Sequence, residues 1–539
     1  MLSTEVARSP AARPPHPYPS PRRGEGNSGR LLVTAAAAPD EDIAALAKGG
    51  RTNVFGFVLR LIARLPFLFI AGQLYGATAL GRFAYAIIVI EFAAQLATLG
   101  LKRGLAQQLR ASDQPESHVV WDAMVAALIA SAAASILLIF FPQAMFPNSE
   151  RHGADFLLPL VIFGIAGADV ALAALAYKHN IAATVRARAI VEPWTISIAA
   201  GALYFYSDRD GLIMAYVVSV IAGLVASLWP LLKTYGLPHG WKPHPDRTWQ
   251  VARQNVPLAA ADAIEWGSRR LDVAILGWFV SPYWVGVYYV AQQVASLPQR
   301  LKTSFDPILA PVLTDRLAKK DYAAVAKQVR QVGFWIIAAQ MGIALALGMT
   351  GPALMGLVGA AFAGGALALG FLLFAEVVAA TAAVSEAALV YVARKRNLLI
   401  SFIMILIQIG VSVGVLYALE FLDVPVDDQQ AYQAAAAAGA LAVALGIASI
   451  LKARLLERIL GESVLGWRWS LLEGAAAAIV AGLLVRFLLP EWAQLAFGTF
   501  VILGVFGAVI WWRGFTAEDR VLFRFKKDEE PTLPDVSMT

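Results

Sequence analysis

Five ionisable side chains fall within one apolar segment of membrane-spanning length, residues 256–280 (VPLAAADAIEWGSRRLDVAILGWFV). They are Asp262, Glu265, Arg269, Arg270 and Asp272. On insertion scales each such charge costs about 2.5–3.5 kcal/mol near the centre of a membrane helix. Charges kept at this cost face a polar cavity or pair with one another, and they often mark ion or substrate pathways. The segment is therefore our first candidate for a functional site.

Helical periodicity places these five side chains on one broad face of the segment. At about 100° per residue, they all fall within about 80° of Asp262. The other side carries apolar residues, namely Ile264, Leu271, Ile275, Trp278 and Phe279. This pattern predicts a helix with lipid on one side and a polar cavity on the other. The alternative is a closed cluster in which Asp262 and Glu265 pair with Arg269, and Asp272 with Arg270.

Arginines also occur in the first apolar segment of the chain. Arg60 and Arg64 lie one turn apart, and Arg64 is expected near the middle of the bilayer. A guanidinium stays charged and binds phosphate oxygens through two parallel hydrogen bonds, so it suits a diphosphate better than a sugar or a drug cation. We therefore expect Arg60, Arg64, Arg269 and Arg270 to bind a phosphorylated ligand. For Arg60, snorkelling to lipid head groups is the alternative.

Further polar residues in apolar segments are candidates for sugar binding or ion coupling. Gln292, Ser296 and Gln299 lie along one side of a predicted helix, where they would bond either sugar hydroxyls or neighbouring helices. Glu91 and Asp169 join Asp262, Glu265 and Asp272 as candidates for carrying H⁺ or Na⁺, with a structural role as the alternative for each. The chain has no cysteine and no histidine inside a predicted span, so we expect neither a metal nor another cofactor.

The composition explains what must position these residues. Of 539 residues, 58% are hydrophobic and 15% are charged, which is typical of a polytopic all-α membrane protein. We predict fourteen transmembrane helices, at 53–75, 83–101, 119–141, 156–177, 187–206, 211–232, 256–280, 283–305, 333–357, 368–392, 397–419, 431–451, 469–489 and 491–512.

The distribution of basic residues orients these helices. With the N-terminus inside, the predicted cytoplasmic segments after the first span hold 29 Lys and Arg residues, whereas the periplasmic loops hold four. We therefore expect both termini in the cytoplasm of a multi-pass protein of the bacterial inner membrane. The net charge of +6 follows from this bias and does not indicate nucleic acid. The longest predicted periplasmic loop, 142–155, leaves little room for the active site of a glycan ligase or polymerase.

The chain also contains an internal repeat. The stretch RLPFLFIAGQLYGATALGRFAYA (64–86) resembles RLDVAILGWFVSPYWVGVYYVA (270–291), which aligns Gly81 with Gly286 and Arg64 with Arg270. Two halves of six helices would then be related by an axis along the membrane normal. The predicted units are a disordered tail (1–50), an N-lobe (51–234), a cytoplasmic linker (235–255), a C-lobe (256–454), an accessory helix pair (455–512) and a cytoplasmic tail (513–539).

Several stretches together suggest a family. With GRTNVFGFVLRLIARLPFLFIAGQLYGATALGRFAYA (50–86), LATLGLKRGLAQQL (96–109) and RARAIVEP (186–193), the chain resembles the Wzx-type (O-antigen flippase) polysaccharide transporters of the multidrug/oligosaccharidyl-lipid/polysaccharide (MOP) exporter superfamily. The resemblance covers roughly residues 48–512 and implies a V-shaped pair of six-helix lobes with two accessory helices. It also implies a flippase that moves an undecaprenyl-diphosphate-linked oligosaccharide by alternating access, with a cationic cavity that Arg60, Arg64, Arg269 and Arg270 match.

Other functions remain open at this stage. A lipid II-type flippase or a multidrug exporter of the same superfamily is the main alternative, and four arginines argue against a carrier of drug cations. Two further hypotheses are a glycan ligase or polymerase and a non-transporting scaffold. The sequence contains no G-x-x-x-x-G-K-[ST] motif, so no ATPase site of its own is expected. The polysaccharide polymerase and chain-length machinery are candidate protein partners.

Overall fold

The computed structural model describes residues 65–151, 153–422 and 425–520, without the side chains of residues 299–312, 314, 315, 318, 426 and 427. All regular structure in these ranges is helical. The predicted disordered tail 1–50 and the greater part of the predicted first span, with Arg60 and Arg64, lie outside the described residues.

Residues 65–235 form the first half of the bundle. Its helices are α1 (Leu65–Ile70), α2 (Gly76–Ala97), α3 (Leu101–Ala111), α4 (Glu116–Phe140), α5 (Leu158–Tyr177), α6 (Glu192–Tyr204) and α7 (Gly211–Tyr235). A π-helical turn continues α1 (Ala71–Tyr75), and a second one leads into α6 (Val185–Val191).

Residues 245–460 form the second half, and a further pair of helices follows it. The second half contains α8 (Pro245–Phe279), α9 (Pro282–Ala318), α10 (Tyr322–Met349), α11 (Ala366–Ala380), α12 (Ala383–Val392), α13 (Arg394–Glu420) and α14 (Val426–Leu460). The final pair is α15 (Ser470–Leu488) and α16 (Thr499–Val509), which continues as a π-helical turn (Ile510–Gly514).

Ten helical stretches among the described residues are long and apolar enough to cross a membrane. The helix α8 is not among them, because its ionisable residues interrupt the apolar sequence, and α12, with ten residues, is too short. The predicted class, an all-α multi-pass membrane protein, is confirmed. The count of fourteen spans stays a prediction.

Each half is held together by its own helix packing. In the first half α5 contacts α2, α4 and α7, and α7 also packs on α6. In the second half α14 packs on α11 and α13, while α9 packs on α10 and α11. The final pair, α15 and α16, packs on α10. The halves meet where α2 contacts α8 and α9, and where α8 contacts α4, so α8 carries its charges at the interface between the halves.

The halves make a close backbone contact at two glycines, one from each half. A Cβ atom on Gly81 of α2 would lie 1.8 Å from the carbonyl oxygen of Pro282, and one on Gly286 of α9 would lie 2.1 Å from that of Ala77. Each glycine thus faces the residue four positions before the other. This reciprocity is the relation expected of equivalent helices, and these are the two glycines that the sequence repeat aligns.

A second tight contact lies at the other end of the interface. We call this end, where α2 leads into α3 and where Lys102 and Arg103 lie, the basic end. Gly100 has φ +69°, which permits the turn between the two helices, and a Cβ there would lie 2.5 Å from the backbone nitrogen of Ala259. A Cβ on Gly104 would lie 1.7 Å from Oδ1 of Asn255. The start of α8 is therefore packed directly against α3.

The glycine contact between α2 and α9 predicts a specific stability difference. Replacing Gly81 with Ala places a methyl group against backbone that cannot rotate away, so the helices must separate, at a cost of about 1–3 kcal/mol. We expect a lower unfolding temperature for the purified protein in detergent. Gly370→Ala in α11 is the control, since no atom lies within 4 Å of a Cβ there. Equal melting of the two variants would contradict the contact.

Candidate functional site

The ionisable side chains of α8 divide between two groups of partners. Asp262 and Glu265 face α3 of the first half, whereas Arg270 and Asp272 face α9 of their own half. Exposure divides them differently: Asp262 and Asp272 are 5% and 0% exposed, while about half of the Glu265 and Arg269 side chains remain accessible. The helix therefore presents two buried acids and a partly open Glu265–Arg269 surface, rather than one uniformly wet face.

Arg103 of α3 joins the two halves through the acids of α8. Its Nε lies 3.1 Å from Oδ1 of Asp262, and its Nη2 lies 2.6 Å from Oε2 of Glu265. Arg269 lies 3.7 Å from the other oxygen of Glu265. The sequence alternative paired these acids with Arg269 alone. The structure adds Arg103 as the nearer partner. In the sequence, Arg103 is one of the basic residues of a predicted cytoplasmic segment.

Arg270 is held by an amide. Its Nη1 donates to Oε1 of Gln292 at 3.1 Å, and Nε2 of Gln292 donates to both oxygens of Asp272 at 3.1 Å. The hydroxyl of Tyr288 donates to the same carboxylate at 2.7 Å. The side-chain amide of Gln292 thus stands between the two charges that the closed-cluster alternative would have paired directly.

This arrangement leaves the Arg270 guanidinium with donors for a ligand. Among the described residues, no carboxylate oxygen lies within 4 Å of it, and Gln292 accepts its hydrogen bond. A guanidinium has five N–H groups in a planar fork. The partly buried Arg270 and the half-exposed Arg269 are adjacent on α8, so the pair can present donors to an anion with several oxygens.

The structure describes some of the remaining predicted binding residues and not others. Gln292 belongs to the network around Arg270. The hydroxyl of Ser296 donates to the carbonyl of Gln293 at 2.7 Å, so it is bonded within its own helix. The side chain of Gln299, like Arg60 and Arg64, lies outside the described residues.

The acids of the first half form a separate group. Asp169 of α5 is 7% exposed, and its Oδ2 lies 2.7 Å from Nζ of Lys102 in an ion pair. Arg188 forms ion pairs with both Asp169 and Glu192. Glu91 is partly buried on α2. Gln95, about one turn after Glu91 on α2, accepts a hydrogen bond from Lys102 at 3.1 Å. The sequence does not identify Arg188 as a partner of these acids. It lies at the edge of the predicted span 187–206, where a basic residue is expected at the cytoplasmic face.

Two neighbouring basic residues therefore connect two groups of acids. Lys102 reaches Asp169 within the first half, while Arg103 reaches Asp262 and Glu265 across the interface. Among the described residues, no group of three or more His, Cys, Asp or Glu side chains could hold a metal ion. The acids are arranged as partners of basic side chains.

Comparison with known proteins places the chain in a family and a fold. A family model described as "Polysaccharide biosynthesis protein" matches residues 73–358. None of the curated protein sequences matches the chain.

Several solved structures share the fold, among them the following two. The lipid II flippase MurJ in an inward closed conformation is similar with a TM-score of 0.63 and 12% identity, over 86% of this chain and 99% of that one. An inward-facing multidrug resistance MATE family transporter of the MOP superfamily gives a TM-score of 0.60 and 12% identity, over 75% and 94% of the two chains. The predicted MOP-type fold is confirmed.

The ion pairs of Arg103 predict a rescue experiment. Arg103→Gln leaves the buried carboxylate of Asp262 without its recorded basic partner, so the protein should lose roughly 1–2 kcal/mol; the value is below that of a fully buried pair because Arg103 is half exposed. Adding Asp262→Asn removes the uncompensated charge and should restore most of the loss. Thermal unfolding of the single and double variants measures both effects.

Proposed function

Because the chain belongs to the polysaccharide biosynthesis protein family, we propose that it is a flippase for a lipid-linked oligosaccharide. The proposed substrate is an oligosaccharide carried on undecaprenyl diphosphate. The protein would move its head group from the cytoplasmic to the periplasmic leaflet of the bacterial inner membrane by alternating access. The MOP-type fold, found also in the lipid II flippase MurJ, supports this proposal.

The observation that carries the proposal is the state of Arg270. Its guanidinium is partly buried beside α9 and is oriented by the neutral amide of Gln292, and among the described residues no carboxylate oxygen lies within 4 Å of it. A diphosphate offers several charged oxygens, and hydrogen bonds between charged groups are about twice as strong as neutral ones. Arg269 would add a second cation, and Arg60 and Arg64 are proposed to supply more from the first span.

The two contacts between the halves suggest how access alternates. At one end α2 and α9 meet through backbone at Gly81 and Gly286, and at the basic end α3 meets α8 through close glycine contacts and ion pairs. We propose that the basic end faces the cytoplasm, as the distribution of Lys and Arg indicates. Separation of Arg103 from the acids of α8 would then admit the head group, and Arg103 would itself be released toward the arriving diphosphate.

The energy source is proposed to be a gradient of H⁺ or Na⁺. Asp169, Asp262 and Asp272 are buried acids at helix contacts, Glu265 lies on the same helix as the last two, and Glu91 is partly buried on α2. Their present partners are basic or hydrogen-bonding side chains, so any proton uptake would weaken those contacts. We propose a transporter rather than an enzyme, working beside a polysaccharide polymerase and its chain-length machinery.

A double substitution tests the proposed diphosphate site. Replacing Arg64 and Arg270 with Gln should leave membrane insertion intact but stop production of surface glycan, with lipid-linked precursor accumulating on the cytoplasmic side. Each lost charge-assisted bond is worth about 1.5–3 kcal/mol, so flux should fall by roughly ten-fold or more per arginine. Either residue replaced with Lys should retain more flux, since the charge survives without the fork.

The matched control is Arg454→Gln, which removes an exposed arginine of α14 away from the interface. Quantifying surface glycan and lipid-linked precursor in cells that depend on each variant gives the answer. Normal glycan output from a well-expressed double variant would refute the diphosphate site. Loss of cell-wall synthesis or of drug resistance, with glycan output preserved, would instead favour the lipid II-type or multidrug alternative.

A further inference from the structure

A basic cavity lies outside the candidate site, at the basic end of the bundle. Its volume is about 400 Å³, and it opens between the start of α10, the segment before α15 and the chain after α16. Its lining consists of Lys327, Arg330, Gln331, Arg468 and the segment 516–518. None of these residues is part of the proposed transport site.

The wall of this cavity is built before any ligand arrives. Asp519 is fully buried and accepts hydrogen bonds from Nε2 of Gln331 at 3.1 Å, Nε1 of Trp335 at 3.0 Å and Nη1 of Arg468 at 2.6 Å. Although burial alone raises the pKa of Asp519, bonds from Arg468 and Thr516 hold that pKa below its ordinary value. The carboxylate therefore stays ionised at neutral pH and fixes the chain around it to α10.

The charge of the cavity is positive. Three basic side chains and one acid, Glu518, line it, and the buried Asp519 behind the wall pairs with Arg468, which leaves one positive charge in excess. Lys327 pairs with Glu518 at 3.0 Å, whereas Nη1 of Arg330 donates to a neutral acceptor, the carbonyl of Ser463, at 2.6 Å. Arg330 thus retains its full charge at the cavity, and a guanidinium has further donors beyond this one bond.

The depth of the cavity matches the level of lipid head groups. Trp469 immediately follows Arg468, and Trp511 and Trp512 precede the segment 516–518 by a few residues. Trp469 and Trp512 are 77% and 75% exposed. Exposed tryptophans at the ends of membrane helices mark the boundary between hydrocarbon and water. Basic pockets between helices at this level on the cytoplasmic side are typical sites for anionic head groups.

We propose that this cavity binds the phosphate group of an anionic phospholipid. The head group would contact Arg330, Arg468 and Lys327, while its acyl chains remain in the bilayer beside the exposed tryptophans. The lipid would connect α10 with the segments that flank α15 and α16, and it would occupy a site separate from that of the transported substrate.

The proposal is tested with the full chain in detergent, after removal of bound lipid. One variant removes a positive charge from the cavity and another removes a negative charge. Added phosphatidylglycerol should raise the unfolding temperature of the protein, whereas phosphatidylcholine should not. Arg330→Gln should weaken the apparent affinity for phosphatidylglycerol roughly five-fold, and Glu518→Gln should strengthen it by a similar factor. Lys395→Gln, an exposed basic residue at the start of α13, is the control and should change nothing.

The unfolding temperature of each variant with lipid is compared with its own unfolding temperature without lipid. A change in stability caused by the substitution itself therefore does not affect the comparison. Glycerol phosphate serves as the soluble probe, and it should give little shift without acyl chains. Equal shifts with phosphatidylcholine, equal affinities for Arg330→Gln and Lys395→Gln, or a full response to glycerol phosphate alone would each overturn the proposal. Transport plays no part in these measurements, so their failure leaves the proposed function untouched.

Discussion

The cost of placing charge in a membrane determines how this protein is assembled. A side chain such as Asp262 cannot stay buried and ionised in hydrocarbon without a partner, because the loss of hydration exceeds what packing returns. The chain supplies that partner from the other half of the molecule, in Arg103. Asp262 and Glu265 of α8 therefore join the halves through Arg103, while Arg270 is held by the neutral amide of Gln292.

Both ends of the interface contain close glycine contacts, and the basic end adds the ion pairs of Arg103. Backbone contact at Gly81 and Gly286 relies on close packing, which is lost abruptly when helices separate by a fraction of an ångström. The ion pairs of Arg103 act over a longer range, and both Arg103 and Glu265 are half exposed, so water can replace each of them at modest cost. The basic end thus combines close packing at Gly100 and Gly104 with ion pairs that water can replace.

Much of this architecture could be predicted from the sequence. Apolar composition predicted the all-helical membrane class, the family assignment was confirmed by the family model, and the repeat aligned Gly81 with Gly286. Choice of partner could not be predicted in the same way. A helical wheel gives the direction of a side chain but not the neighbour it meets, so Arg103 and the bridging amide of Gln292 appeared only with the packed helices. The anchor at Asp519 joins residues nearly two hundred positions apart, which no local pattern indicates.

The adjacency of Lys102 and Arg103 links the acids of the first half to the interface. Both side chains leave the first turn of α3, one toward Asp169 and the other toward Asp262. A helix moves as a rigid unit over so short a distance, so a displacement of α3 that breaks one ion pair alters the geometry of the other. Any change in the charge of Asp169 therefore acts on the same turn of helix that holds the halves together, and this coupling requires no long chain of intermediates.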